Sequence, residues 1–214
     1  MATNVYNGLA ADLETIPAGT ELYRIIPTRA SYPGNSYNPK PPRPLGHPEQ
    51  GRFEPLDGSL GGYIYLAQSV EGAIAEGVLR GEEIRSAVVR RHWLVGKSLV
   101  TMRLEEEVVV ASLYGAKTAR LNLSATLLAG EDYNQTRETG TKVLTNTPSA
   151  SGLKYRCANH DDLTSLMFIS RHGQASLTIL DQSDIFFDDI GRKKVLDILD
   201  SVFNLKYTGR VGKP

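Results

Sequence analysis

Gly61-Gly-Tyr-Ile-Tyr-Leu-Ala-Gln-Ser-Val-Glu-Gly-Ala-Ile-Ala-Glu76 is the stretch from which the fold of this 214-residue chain can be read. Tyr63 to Ala67, aromatic and β-branched after a Gly-Gly pair, has the composition of a short buried strand. Ser69 then stands where a helix N-cap belongs. Val70, Ala73, Ile74, Gly77 and Val78 recur at i, i+3, i+4, i+7 and i+8, so the spacing predicts an amphipathic helix that Gly81 is placed to end. The unit is strand, tight turn, helix. At 100° per residue Glu76 falls off the apolar stripe, which turns its carboxylate toward water or a cleft.

Working outward, Glu21 to Ile26 (ELYRII) reads as a strand stopped by Pro27, with Arg24 the one cation inside it. Between Tyr32 and Pro55 lie seven of the eleven prolines, which predicts one long loop without regular structure. A loop of that length in a compact domain belongs over a site or is disordered. Its end, Gly51-Arg52-Phe53-Glu54-Pro55, carries a cation and an aromatic into the central strand and suits a ligand-facing rim. Further strands are expected at Ser98 to Leu104, Val108 to Leu113, Leu153 to Arg156, Ser165 to Ser170 and Ala175 to Leu180. Helices are expected at Tyr114 to Leu121, at Glu131 to Leu144 with Arg137 inside it, and at about Ile190 to Phe203, whose apolar face is Val195, Ile198, Leu199 and Val202. The many basic residues from Arg80 to Arg103, offset by Glu82, Glu83 and Glu105 to Glu107, read as a solvated face with no site.

The sum is an α+β class fold with a mixed or antiparallel central sheet and flanking helices in a single domain. Residues 1–20 read as an N-terminal segment, 21–206 as the domain with the Pro-rich loop 32–55 inside it, and 207–214 as a flexible tail.

Composition removes several function classes. With 24 basic and 24 acidic residues and no long run of Lys and Arg, a nucleic-acid partner is not expected. The N-terminal MATNVYNGLAADLETIP lacks the pattern of a signal peptide, and no stretch approaches eighteen uncharged apolar residues, so the expectation is a soluble, cytoplasmic protein without membrane association. Cys157, the one cysteine, excludes an internal disulfide framework. Cys157 and His160, followed by Asp161 and Asp162, have a C-x-x-H spacing, but without a second cysteine or paired histidines no metal site is expected. No GxGxxG follows a strand and no GxxxxGK[ST] is present, so the common dinucleotide and triphosphate cradles are absent.

In chain order, ELYRI with Arg24, GRFEP with Arg52, YIYLAQSVEGAIAE with Tyr65 and Glu76, YNQTRETG with Arg137, and SGLKYRC resemble the RES-domain family, the toxin half of RES–Xre toxin–antitoxin systems. The family is named for an arginine, a glutamate and a serine; Arg24 and Glu76 fit the first two. Where the family has its serine this chain has Cys157, a larger side chain and a weaker hydrogen-bond donor. The resemblance implies a fold similar to ADP-ribosyltransferases and an activity on NAD: cleavage of its nicotinamide–ribose bond by hydrolysis or phosphorolysis, or transfer of ADP-ribose to a protein, with no cofactor beyond NAD as substrate. It implies Glu76, Arg24 and Tyr65 as catalytic residues, and Arg24, Tyr23, Arg52, Tyr65 and Cys157 as contacts to NAD. It also implies an Xre-type antitoxin as partner and leaves self-association open. The substitution at Cys157 keeps a non-catalytic binding module as the alternative.

Overall fold

The computed structural model describes residues 5–39, 44–46, 50–84, 86–130, 132–157, 160 and 162–209. Among these residues eight strands form a single sheet: β1 (Leu13–Ile16), β2 (Glu21–Pro27), β3 (Tyr63–Ala67), β4 (Lys97–Leu104), β5 (Val108–Leu113), β6 (Gly152–Arg156), β7 (Thr164–Ile169) and β8 (Leu177–Asp184), in the order β1-β5-β6-β7-β3-β2-β4-β8. β5 and β6 run parallel and every other neighbouring pair antiparallel. Among the described residues five helices flank it: α1 (Val70–Gly77), α2 (Lys117–Arg120), α3 (Ala125–Ala129), α4 (Tyr133–Asn146) and α5 (Asp189–Ser201). The α+β class with a mixed sheet and flanking helices is therefore what the chain adopts. Among the described residues no helix is long and apolar enough to cross a membrane.

Strand alternation sorts the core. Along β3, Ile64 and Leu66 enter one apolar cluster with Leu22, Ile26, Val100, Met102 and Phe168, whereas Tyr63 and Ala67 enter the clusters beneath the helices. The buried members of the first cluster all come from strands, and Ala30, Tyr37, Ala175 and Ile179 pack against it. The opposite face is covered in two places. α4 packs over Phe53, Leu153 and Tyr155, and α1 and α5 pack with Trp93, Leu99 and Phe186.

The strand–turn–helix unit forms as its sequence dictates: Ser69 Oγ accepts from the Gly72 amide at 3.1 Å, and Val70, Ala73 and Ile74 are buried. The helix stops at Gly77, four residues before Gly81, whose φ of 77° belongs to the turn that follows. Gly77 needs its missing side chain, because a Cβ there would lie 2.6 Å from that of Ile25 on β2.

Several elements differ from expectation. β1 lies within the first twenty residues and pairs with β5, although LETI is too short to show a period. α3 was not expected either. β8 extends to Asp184 through the polar Asp-Gln-Ser-Asp, which an edge strand tolerates because its outer face meets solvent. Within the expected tail, Tyr207 stacks edge-on against Phe186, with ring centroids 5.7 Å apart; residues 210–214 lie outside the described residues.

Glu14 ties β1 to its neighbours. Its carboxylate accepts from Lys117 Nζ at 2.8 Å, Lys154 Nζ at 2.9 Å and Ser112 Oγ at 2.6 Å. Burial works to raise its pKa, but these three donors outweigh it and bring the value down to about 2 from an ordinary 4.5. A folded pKa below the unfolded one stabilises above the unfolded value and is lost as pH falls toward the folded one. Urea unfolding midpoints should therefore fall between pH 4.5 and about 2 more steeply for the wild type than for Glu14→Gln. Identical pH slopes would contradict this role.

Candidate active site

β2 and β3 pair only where Tyr23 faces Ala67. Beyond that pair the strands part, and the gap is a cleft of about 190 Å³ walled by Tyr23, Arg24, Ile25, Tyr65, Glu76, Arg80, Tyr155 and Ser165. A larger cavity of about 330 Å³, lined by Leu113, Thr118, Leu128 and Arg156 among others, lies beyond the carboxyl end of β6. Ionisable groups converge in the first.

Glu76 sits on the side of α1 that its spacing predicted, 16 % exposed, and its carboxylate lies between two guanidiniums. Oε1 is 3.8 Å from Arg52 Nη1 and Oε2 is 3.8 Å from Arg80 Nη1. At that separation the contacts are those of charge rather than of hydrogen bonds.

Arg52 reaches this position because the end of the Pro-rich loop is clamped. Arg137 and Glu54, both fully buried, pair at 3.6 Å. Arg137 also donates from Nε to the Glu54 carbonyl at 3.2 Å, and from Nη1 to the Pro44 carbonyl at 2.9 Å and to Gln50 Oε1 at 2.7 Å. Glu54 Oε2 accepts from the Gly51 amide, Thr136 Oγ1 donates to the Arg52 carbonyl, and the Leu56 amide donates to Thr141 Oγ1. Residues 50–56 are thus bound along α4. Arg52 is only 3 % exposed and stands behind Glu76 rather than in the cleft wall. It donates to the Arg156 carbonyl at 3.1 Å and lies 5.8 Å from the Tyr155 ring centroid, and its Nε has no hydrogen-bond partner among the described residues.

Tyr65 belongs to the same clamp. Its hydroxyl accepts from the Phe53 amide at 2.9 Å, and a Cβ on Gly51 would lie 2.6 Å from that oxygen. Burial raises its pKa, so the phenol stays protonated. Edge-on contacts to Tyr63 and Tyr155, at 5.7 and 6.5 Å, fix the ring. Tyr23 offers its ring to the cleft while its hydroxyl donates to Glu21 at 2.8 Å; burial and that carboxylate push its pKa up to about 12.

Arg24 contributes to the cleft wall, but its guanidinium is engaged by the loop. Alternation puts its side chain on the face of Leu22 and Ile26, away from Tyr23, and Nη1 donates to the carbonyls of Gly34 and Ser36 at 2.9 and 3.0 Å. Its guanidinium is held by the loop and does not meet Glu76. Cys157 is 4 % exposed and shares a 3.0 Å hydrogen bond with Ser165, and burial pushes the thiol up to about 11. Ser165, contributed from β7, lines the cleft and faces Tyr155 across the β6–β7 ladder.

Three site residues escaped sequence reasoning. Arg80 was placed on a solvated face, yet it lines the cleft. Its Nε donates to the Tyr133 hydroxyl at 2.8 Å, and its guanidinium carbon is 4.6 Å from that ring centroid. Burial opposes its charge, but Tyr133 and Glu76 outweigh burial and hold its pKa above the ordinary value. The i, i+4 spacing from Glu76 was the available signal. Tyr155 and Ser165 depend on strand pairing and gave none.

With the geometry in place, comparison with known proteins identifies the chain. A family model described as the RES domain matches residues 21–188, and the protein belongs to that family. No curated protein matches it. Among solved structures it resembles a chain from the crystal structure of the M. tuberculosis MbcT-MbcA toxin-antitoxin complex, with a TM-score of 0.56 and 17% identity, covering 79% of this chain and 86% of that one. At that identity the likeness is one of fold.

Two outcomes follow from the clamp and the thiol. Replacing Arg137 by Ala leaves the Glu54 charge buried without its pairing cation and should lower unfolding free energy by about 3–5 kcal/mol in urea titrations, the usual scale for breaking a buried pair. A loss under about 1 kcal/mol would show that the clamp is dispensable. Cys157, buried and protonated, should react with iodoacetamide at neutral pH at least about tenfold more slowly in the folded protein than in urea. Equal rates would place the thiol at the surface.

Proposed function

We propose that this RES-domain protein is a toxin-like enzyme that cleaves the nicotinamide–ribose bond of NAD. The observation that carries the reading is a carboxylate, Glu76, lining an aromatic-walled cleft between two arginines. In NAD the nicotinamide nitrogen is positively charged, so when the bond breaks its electron pair stays with nicotinamide, which leaves as a neutral molecule. No general acid is needed. The ribose carbon left behind is oxocarbenium-like, and the stabilisation required is that of a fixed anion beside it. Glu76 supplies that anion, and Arg52, buried behind it, holds it in position. Tyr65, locked by the Phe53 amide, offers a rigid ring against which flat nicotinamide can pack. Ser165, hydrogen-bonded to Cys157, supplies a hydroxyl for polar contact in the wall.

The acceptor at the ribose carbon is water, phosphate or a protein side chain. Membership of the RES family and the fold shared with a component of a toxin–antitoxin complex support an antitoxin of the Xre type as partner and action in the cytoplasm.

The test is to incubate the purified protein with NAD, with and without phosphate, and to follow nicotinamide release together with the ADP-ribose product, whose identity names the acceptor. Glu76→Gln keeps the size and removes the charge, so turnover should fall by about a hundredfold or more with folding preserved. Unchanged turnover in that variant would overturn the role of Glu76.

A further inference from the structure

We infer that Arg80, held flat by Tyr133, is the phosphate-binding cation of the cleft and selects dinucleotide substrates over their unphosphorylated counterparts. The inference rests on the NAD reading and assigns a substrate group to a residue outside the motifs that suggested it. Two guanidiniums flank Glu76, and they differ in access. Arg52 is 3 % exposed and lies behind the carboxylate, whereas the Arg80 side chain is 22 % exposed and lines the cleft.

Donor use separates them further. Arg80 spends Nε on the Tyr133 hydroxyl, and among the described residues neither of its terminal amino groups makes a hydrogen bond, the Glu76 contact at 3.8 Å being one of charge. Two parallel N–H groups on a planar fork match two oxygens of a phosphate. Tyr133 opens α4 while Arg80 follows α1, so their contact spans the two helices beside the cleft and fixes the plane of the fork. Fixing it in advance removes the entropy that a free arginine would lose on binding.

The charges agree. Glu76 with Arg24, Arg52 and Arg80 carries two net positive charges, and Arg137 with Glu54 carries none. NAD, with a doubly charged pyrophosphate and a cationic nicotinamide ring, carries one net negative charge. A pyrophosphate on Arg80 also offsets the cation that otherwise compensates Glu76, so that the carboxylate acts more fully on the ribose.

Calorimetric titration with ADP-ribose, which keeps both phosphates, and with adenosine, which has none, tests this on the wild type, Arg80→Gln and Arg80→Lys, with nicotinamide release from NAD followed in parallel. The expected result is that Arg80→Gln weakens ADP-ribose binding at least tenfold relative to adenosine, and that Arg80→Lys restores part of it. If the wild type cleaves NAD but Arg80→Gln binds ADP-ribose as tightly as the wild type, the inference is overturned and the NAD reading stands. If the wild type binds ADP-ribose without releasing nicotinamide, the cleavage reading fails, and the Arg80 comparison still decides this inference. If the wild type neither binds nor cleaves, both are overturned. Should Arg80→Gln fail to fold, the decision passes to Arg80→Lys, whose affinity must fall between the tenfold loss and the wild-type value.

Discussion

A wholly buried guanidinium cannot be left without acceptors, and the site of this protein is organised by how Arg137 finds them. Removing a charge from water costs several kcal/mol unless it is paired and hydrogen-bonded. Arg137 meets that demand with the Glu54 carboxylate, the carbonyls of Glu54 and Pro44, and Gln50. All of these belong to the Pro-rich loop. The loop end is drawn onto α4 as a consequence, Arg52 is carried behind Glu76, and the Phe53 amide is brought to the Tyr65 hydroxyl. One buried charge thus sets the position of a second cation, a carboxylate and an aromatic ring.

The cleft itself comes from a failure of pairing. Were β2 and β3 joined along their length, Ile25 and Tyr65 would sit side by side in a closed ladder. Their ladder stops after Tyr23 and Ala67. The opening lies against the helix that carries Glu76, and Gly77 lets that helix settle onto Ile25. Opening and carboxylate come from one stretch of sequence.

Much of this was legible because the period changes at Ser69, from two residues to 3.6, and Glu76 falls outside the resulting stripe. Alternation sets Arg24 opposite Tyr23, which is why its guanidinium meets the loop carbonyls of Gly34 and Ser36. Arg80 was hidden by its neighbours, because in a run of mixed charge a functional arginine looks like a solvated one. β1 is four residues long and draws its stability from pairing with β5 and from the lysines that hold Glu14, which no local pattern reveals. Ser165 entered the cleft through the register of β6 and β7, a tertiary fact.

On the proposed reading, the cleft between β2 and β3, rather than the larger cavity near Leu113 and Leu128, holds the reacting end of NAD. A crystal structure of the Glu76→Gln variant with NAD tests it most directly. The expected density is nicotinamide ribose between Tyr65 and residue 76, with the pyrophosphate on Arg80. NAD seated in the larger cavity, with the cleft empty, would contradict it.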